Sequence, residues 1–221
     1  MTTADLDLFR THVKIIDHED DPELNSQIIE LARRNADLND SRTGCNLLRL
    51  DHLPVVSRLK SRFDLGLKLY LKAIRPRASE PFEVDAYMFI NYTETSSFTP
   101  VHGHAPYSDL VAIYYACAPC PSKEDQNLSY EALERSYYAL DEGVLVLHHP
   151  DRLYGVDRRS VETSGHYVIY PRTNRMVIHP SSIEHSVSPN RGGTRLAVTC
   201  DFVINKSQRW KNYLTYSLTV P

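Results

Sequence analysis

A chain of 221 residues, 42% hydrophobic and 24% charged, carries enough apolar sequence for one core and too much for a disordered or fibrous protein. Its net charge of −3 and the absence of a Lys/Arg block argue against nucleic acid or an anionic membrane as a partner. No apolar run approaches the ~18–20 residues that cross a bilayer, and the first residues lack the basic flank and apolar stretch of a signal peptide, so a cytoplasmic location is expected.

The pattern has helical period up to about residue 80 and changes afterwards to short β-branched and aromatic runs. Asp21-Pro22 offers an N-cap followed by proline at the first helical position, and Leu24, Ile28, Leu31 and Ala32 fall on one face, which predicts a helix of about four turns. A second helix is expected from Pro54, with Val55, Leu59, Phe63, Leu67, Tyr70 and Ile74 recurring every three or four residues until Pro76. Strands are expected at roughly 84–92, 98–103, 109–117, 143–149, 165–170, 174–179, 183–188 and 194–204. The polar, helix-prone segment 121–141 reads as an insertion over one end of the sheets. The expected organisation is a single domain over 1–221: a helical support (1–80) backing a mainly β jelly-roll core (81–221).

Ten histidines stand out in the composition, whereas four cysteines are too few for a disulfide scaffold. His102-Gly103-His104 leaves a strand with two imidazoles that meet at one point only if the chain bends between them, and the intervening glycine makes that bend easy. His185 follows a tight turn, and Arg195 lies ten residues further on. Four expected strands separate His104 from His185, a count that brings both to one end of a jelly roll, so a three-ligand metal centre is geometrically reasonable. Imidazole alone does not choose among Fe, Zn, Cu and Ni. His149-Pro150-Asp151 has the form H-x-D but leaves too few strands before His185; His148 and His149 read as a strand end. His12, His18, His52 and His166 have no second ligand at useful spacing, and Cys117-Ala118-Pro119-Cys120 is a lone C-x-x-C read as two loop thiols.

Several stretches in this order resemble one family. These are His18 to Asn25 (HEDDPELN), Asn91-Tyr92 ten residues before His102, Ala112 to Tyr115, and Pro180 to Arg195. They are similar to the iron(II)- and 2-oxoglutarate-dependent oxygenases, double-stranded β-helix enzymes, and specifically to a subgroup with H-x-H where H-x-D is usual. The resemblance implies Fe(II), 2-oxoglutarate and O2 as cofactor and co-substrates, with ascorbate a candidate reductant. It implies oxidation, usually hydroxylation, of a small molecule such as an amino acid or biosynthetic intermediate, with release of succinate and CO2. His102, His104 and His185 would then be the metal ligands, and Arg195 the buried counter-charge for the distal carboxylate of the keto acid. Tyr115 and Tyr92 would donate phenolic hydrogen bonds to it.

His104 is the point of departure, since a neutral ligand in place of a carboxylate leaves the site one unit more positive. Direct ligation by His104 is the preferred reading. The alternatives are that His104 stands aside for water or halide, or that Asp109 or Glu184 completes the triad. A cupin-type metal enzyme, with Asp109 as a fourth ligand and no keto acid, is the rival enzyme reading. A jelly-roll interaction module with incidental histidines is the non-enzymatic one. The expected partner is a small-molecule substrate, with a homodimer left open.

Overall fold

The structure, a computed structural model, describes residues 11–35, 46–74, 82–93, 97–118, 143–148, 166–190, 193–204 and 213–219. The expected insertion at 121–141, Cys45, Cys120 and the His149–Asp151 stretch lie outside them.

Both expected helices form. In α1 (Pro22–Arg34) the Asp21 carboxylate accepts from Leu24 N at 3.1 Å, so the cap read from Asp21-Pro22 closes the first turn. The second, α2, spans Pro54–Ile74. All eight expected strands are present as β2 (Phe82–Thr93), β3 (Thr99–His102), β4 (Leu110–Cys117), β5 (Leu145–His148), β6 (His166–Ile169), β7 (Arg175–Pro180), β8 (His185–Val187) and β9 (Arg195–Ile204). Two short edge strands were not expected: β1 (Lys14–Asp17), which pairs antiparallel with β7, and β10 (Leu214–Leu218), which pairs antiparallel with β2. The N-terminal segment therefore supplies a strand to the sheet as well as the backing helices.

The strands form a six-stranded sheet, β1-β7-β4-β9-β2-β10, and a four-stranded sheet, β3-β8-β5-β6, with antiparallel pairing throughout. The larger sheet is covered on both faces, which explains why β4 reads as a continuous apolar run and why β9 is buried along almost its whole length. Leu110, Ala112, Tyr114, Leu196, Val198 and Phe202 join α1 and α2 in one cluster. Val111, Ile113, Tyr115, Val177 and Ala197 face the smaller sheet, against Leu145, Leu147, Ile169 and Val187. Along β9 the residues Arg195, Ala197, Thr199 and Asp201 thus point inward, because side chains alternate along a strand.

The HEDDPELN stretch docks the helices onto the sheet. Besides capping α1, Asp21 receives Arg58 at 2.8 and 2.9 Å and Arg62 at 3.1 Å. Asn25 Nδ2 donates to Asn174 Oδ1 at 2.8 Å, and Asn174 Nδ2 donates to Asp20 at 3.0 Å. Asn174 also donates its backbone N–H to Tyr115 O and accepts from His18 N, both at 2.9 Å, while holding a left-handed φ of 68°. It is thus the knot between the N-terminal segment and the strand that carries Tyr115. Asn174→Ala should cost about 2–4 kcal/mol, combining lost buried hydrogen bonds with left-handed backbone strain. Asn174→Gly, which relieves only the strain, should be milder. Chemical denaturation of the two variants measures the split.

Candidate metal centre

His102 and His185 are direct cross-strand partners in the β3–β8 pair. Opposed residues on antiparallel strands carry Cβ atoms about 4.5–5.5 Å apart, close enough for two imidazoles to share one ion. His104 lies beyond the end of β3, where the chain turns toward the 180–183 turn. His104 N donates to Ser181 O at 3.3 Å, Ser181 N donates to Asp109 O at 3.0 Å, and the Ser181 hydroxyl donates to Ser108 O. The bend does not depend on a glycine conformation: the left-handed glycines among the described residues are Gly143 and Gly193, and a Cβ on Gly103 would meet only ordinary contacts at 3.7 Å. Strand termination and stitching to the neighbouring turn place His104.

One ligand atom from each of His102, His104 and His185 lies within 4.8 Å of those of the other two. The ring centroids are 4.3 Å apart for His102 and His185, 5.2 Å for His104 and His185, and 5.3 Å for His102 and His104. The proton positions suit metal binding. His102 Nδ1 lies 2.9 Å from Pro100 O and His104 Nδ1 lies 2.7 Å from Asp201 Oδ1. A carbonyl and a carboxylate oxygen accept at these positions, so Nδ1 is the donor in both rings, which leaves Nε2 as the nitrogen for a metal. His104 Nε2 and His185 Nδ1 are buried without a partner among the described residues, which is costly unless something fills the space between them. Burial in the apolar interior holds the His185 imidazole well below its usual pKa, hence neutral and able to ligate.

Asp109 does not join this group: its carboxylate accepts from Ile204 N at 2.9 Å, and Glu184 lies on the exposed turn before β8. The four-ligand cupin reading loses its carboxylate on this geometry.

Arg195 and Tyr115 meet inside the barrel, with the guanidinium carbon 5.1 Å from the Tyr115 ring centroid. Arg195 is 2% exposed and Tyr115 fully buried, yet Arg195 Nε and Tyr115 Oη have no partner among the described residues. An unpaired buried guanidinium nitrogen beside an unpaired phenol is a donor set waiting for an anion. Tyr92 does not reach this place. It packs with the helix-facing cluster, whereas its neighbour Asn91 faces inward and donates to Thr199 Oγ1 at 3.1 Å.

Two further residues belong to the site. His179, fully buried on β7, lies with its ring 5.1 Å from that of His185; its Nδ1 donates to Pro180 O and its Nε2 has no partner among the described residues. Asp201, on β9, is the hydrogen-bond partner of His104. Alternation was the available signal for both: His179 shares the inward face with Val177, and Asp201 shares one with Ala197 and Arg195. Of the histidines without a second ligand at useful spacing, His18 packs edge-on against Tyr114 with centroids 5.9 Å apart, and burial lowers its pKa. Cys117 donates its thiol to Thr194 O at 3.4 Å, and burial raises its pKa, which is the opposite of a reactive thiolate.

No family model matches the chain, and no curated protein matches it. Among solved structures, it is similar to the epimerase SnoN from nogalamycin biosynthesis in complex with Fe3+, alpha ketoglutarate and nogalamycin RO, with a TM-score of 0.54 and 14% identity over 88% of this chain and 79% of that one. It is also similar to a Pseudomonas putida prolyl-4-hydroxylase (TM-score 0.51, 15% identity, 86% of each chain). A third is the viral collagen prolyl hydroxylase of Paramecium Bursaria Chlorella virus-1, in a 2OG complex (TM-score 0.50, 9% identity, 86% of this chain and 94% of that one). The fold is a double-stranded β-helix. Among the described residues, no helix is long and apolar enough to cross a membrane.

Desolvation at this end of the barrel has a measurable consequence. Burial lowers the His179 pKa to about 4 and holds that of His185 well below its ordinary value, whereas both titrate near 6.5 when unfolded. Between about pH 4 and 6.5 the unfolded chain binds more protons, so stability is full above that window and falls as pH drops through it, by about 3 kcal/mol for His179 alone. In chelator-treated protein, His179→Leu should flatten the dependence of the urea midpoint on pH across this window; an unchanged slope would remove His179 from the account.

Proposed function

We propose that the protein is an iron(II)- and 2-oxoglutarate-dependent oxygenase that hydroxylates a small molecule, with an amino acid or biosynthetic intermediate as the substrate class. The observation that carries this reading is the convergence of His102, His104 and His185 in a double-stranded β-helix whose interior also holds Arg195 and Tyr115, each with a donor that has no partner among the described residues. The similar solved structures, two prolyl hydroxylases and an iron- and ketoglutarate-bound epimerase, support the class.

His102, His104 and His185 would hold the iron(II). A bound iron(II) supplies O2 activation coupled to oxidative decarboxylation of the keto acid to succinate and CO2, with ascorbate able to keep the metal reduced. The chain supplies the rest. Hydrogen bonds at Nδ1 lock the tautomers of His102 and His104. Arg195 and Tyr115 hold the distal carboxylate of the keto acid by a charge-assisted and a phenolic hydrogen bond. Val111, Ile113, Leu147, Val177 and Val187 keep water from the interior.

Purified protein with Fe(II) and ascorbate should convert 2-oxoglutarate to succinate slowly without its primary substrate, as followed by succinate release. Neither binding nor turnover of 2-oxoglutarate would sink the reading. Arg195→Ala should weaken 2-oxoglutarate binding by about 3–5 kcal/mol, the scale of leaving a buried carboxylate unpaired. Tyr115→Phe should cost about 1–2 kcal/mol, the scale of one hydrogen bond to a charged group. Calorimetric titration of both variants checks the order.

A further inference from the structure

The ligand set departs from the usual pattern at His104, and a carboxylate stands directly behind that residue. Asp201 is the only acidic residue of β9, and it faces the barrel interior. Its Oδ1 lies 2.7 Å from His104 Nδ1, and both side chains are only 10% exposed. The other anchored imidazoles of the site, His102 and His179, donate Nδ1–H to the neutral carbonyls of Pro100 and Pro180. Among these three, His104 alone is backed by an anion.

We propose that Asp201 is the displaced carboxylate of this metal centre, a positioning residue that binds no metal itself and passes its charge to the ion through the His104 imidazole. The two nitrogens of an imidazole point to opposite sides of the ring, so a carboxylate on Nδ1 and a metal on Nε2 occupy the same ring without competing. Two neutral imidazoles with a ligating carboxylate carry one negative charge; three neutral imidazoles with Asp201 carry one as well. A hydrogen-bonded carboxylate fixes the ring's tautomer and orientation and makes its free nitrogen a stronger donor. The pairing also accounts for both unusual residues at once: a histidine where a carboxylate is expected, and the one acid of β9, buried on its inward face. The inference rests on the three-histidine reading of the site.

The test is calorimetric titration of the full chain with Co(II), in air-stable buffer, for the wild type, Asp201→Asn, Asp201→Ala, His104→Asp and His104→Asp/Asp201→Asn, with thermal unfolding of each chelated protein as the control for folding. Asp201→Asn keeps an acceptor oxygen and loses the charge. It should weaken Co(II) binding 10- to 100-fold, the range typical for loss of such partners, and Asp201→Ala should weaken it at least as much. In the His104→Asp background the carboxylate reaches the metal directly and Asp201 becomes a like charge beside it, so Asp201→Asn should leave affinity unchanged or raise it. An unaltered affinity in Asp201→Asn, or an equal loss in both backgrounds, overturns the proposal while leaving the three-histidine site standing. A folded wild type that fails to bind one Co(II) per chain overturns both.

Discussion

The barrel interior excludes water, and every polar group placed there must be paired inside the fold or reserved for a ligand. Both outcomes occur on the same strands, β7 and β9. Arg175, 2% exposed, is satisfied by Asp17 at 2.7 and 2.8 Å and by Tyr170 O at 3.1 Å. Arg195, equally buried, has no partner for its Nε among the described residues. Asn91 and Thr199 satisfy one another, whereas Tyr115, His179 and His185 each keep an unpaired atom among the described residues. The open atoms of Tyr115, Arg195, His179 and His185 are ones that a ligand in the interior would close.

That dryness also sets the protonation states. A charged imidazole in an apolar interior is expensive, so His179 and His185 stay neutral without a nearby base. Neutral imidazole is the metal-binding form, and the packing that forms the core therefore prepares the ligands as well. His104, closer to the rim, is oriented by an anion instead of by burial. Stability and function are coupled here through the same inward faces of β7, β8 and β9.

Much of this arrangement was legible in the sequence. The eight strands from β2 to β9 declared themselves through β-branched and aromatic runs between turn residues, and Asp21-Pro22 and Pro54 marked both helices. The histidine triad followed from strand counting, because four strands do separate β3 from β8. The edge strands were harder. Lys14–Asp17 is four residues long and pairs with a strand some 160 residues away, a contact for which local pattern holds no signal. Leu214, Tyr216 and Leu218 alternate as a strand should, but nothing in five residues names β2 as their partner. Tyr92 shows the limit of single-residue assignment: whether Tyr92 or Asn91 faces inward depends on a register that is off by one if the strand phase is not known. Asp201 was missed because its role exists only through a loop residue 97 positions earlier, brought close by the β9–β4 pairing and the 103–109 turn.

The central claim is that three imidazoles and no protein carboxylate hold the metal. X-ray absorption spectroscopy of the Fe(II)-loaded, 2-oxoglutarate-bound protein tests it most directly, since multiple scattering from imidazole rings distinguishes them from carboxylate oxygens. The account predicts three imidazole ligands, falling to two in the His104→Ala protein. A first shell with two imidazoles in the unmodified protein would contradict it and return the question to Asp201, Asp109 or Glu184 as the direct ligand.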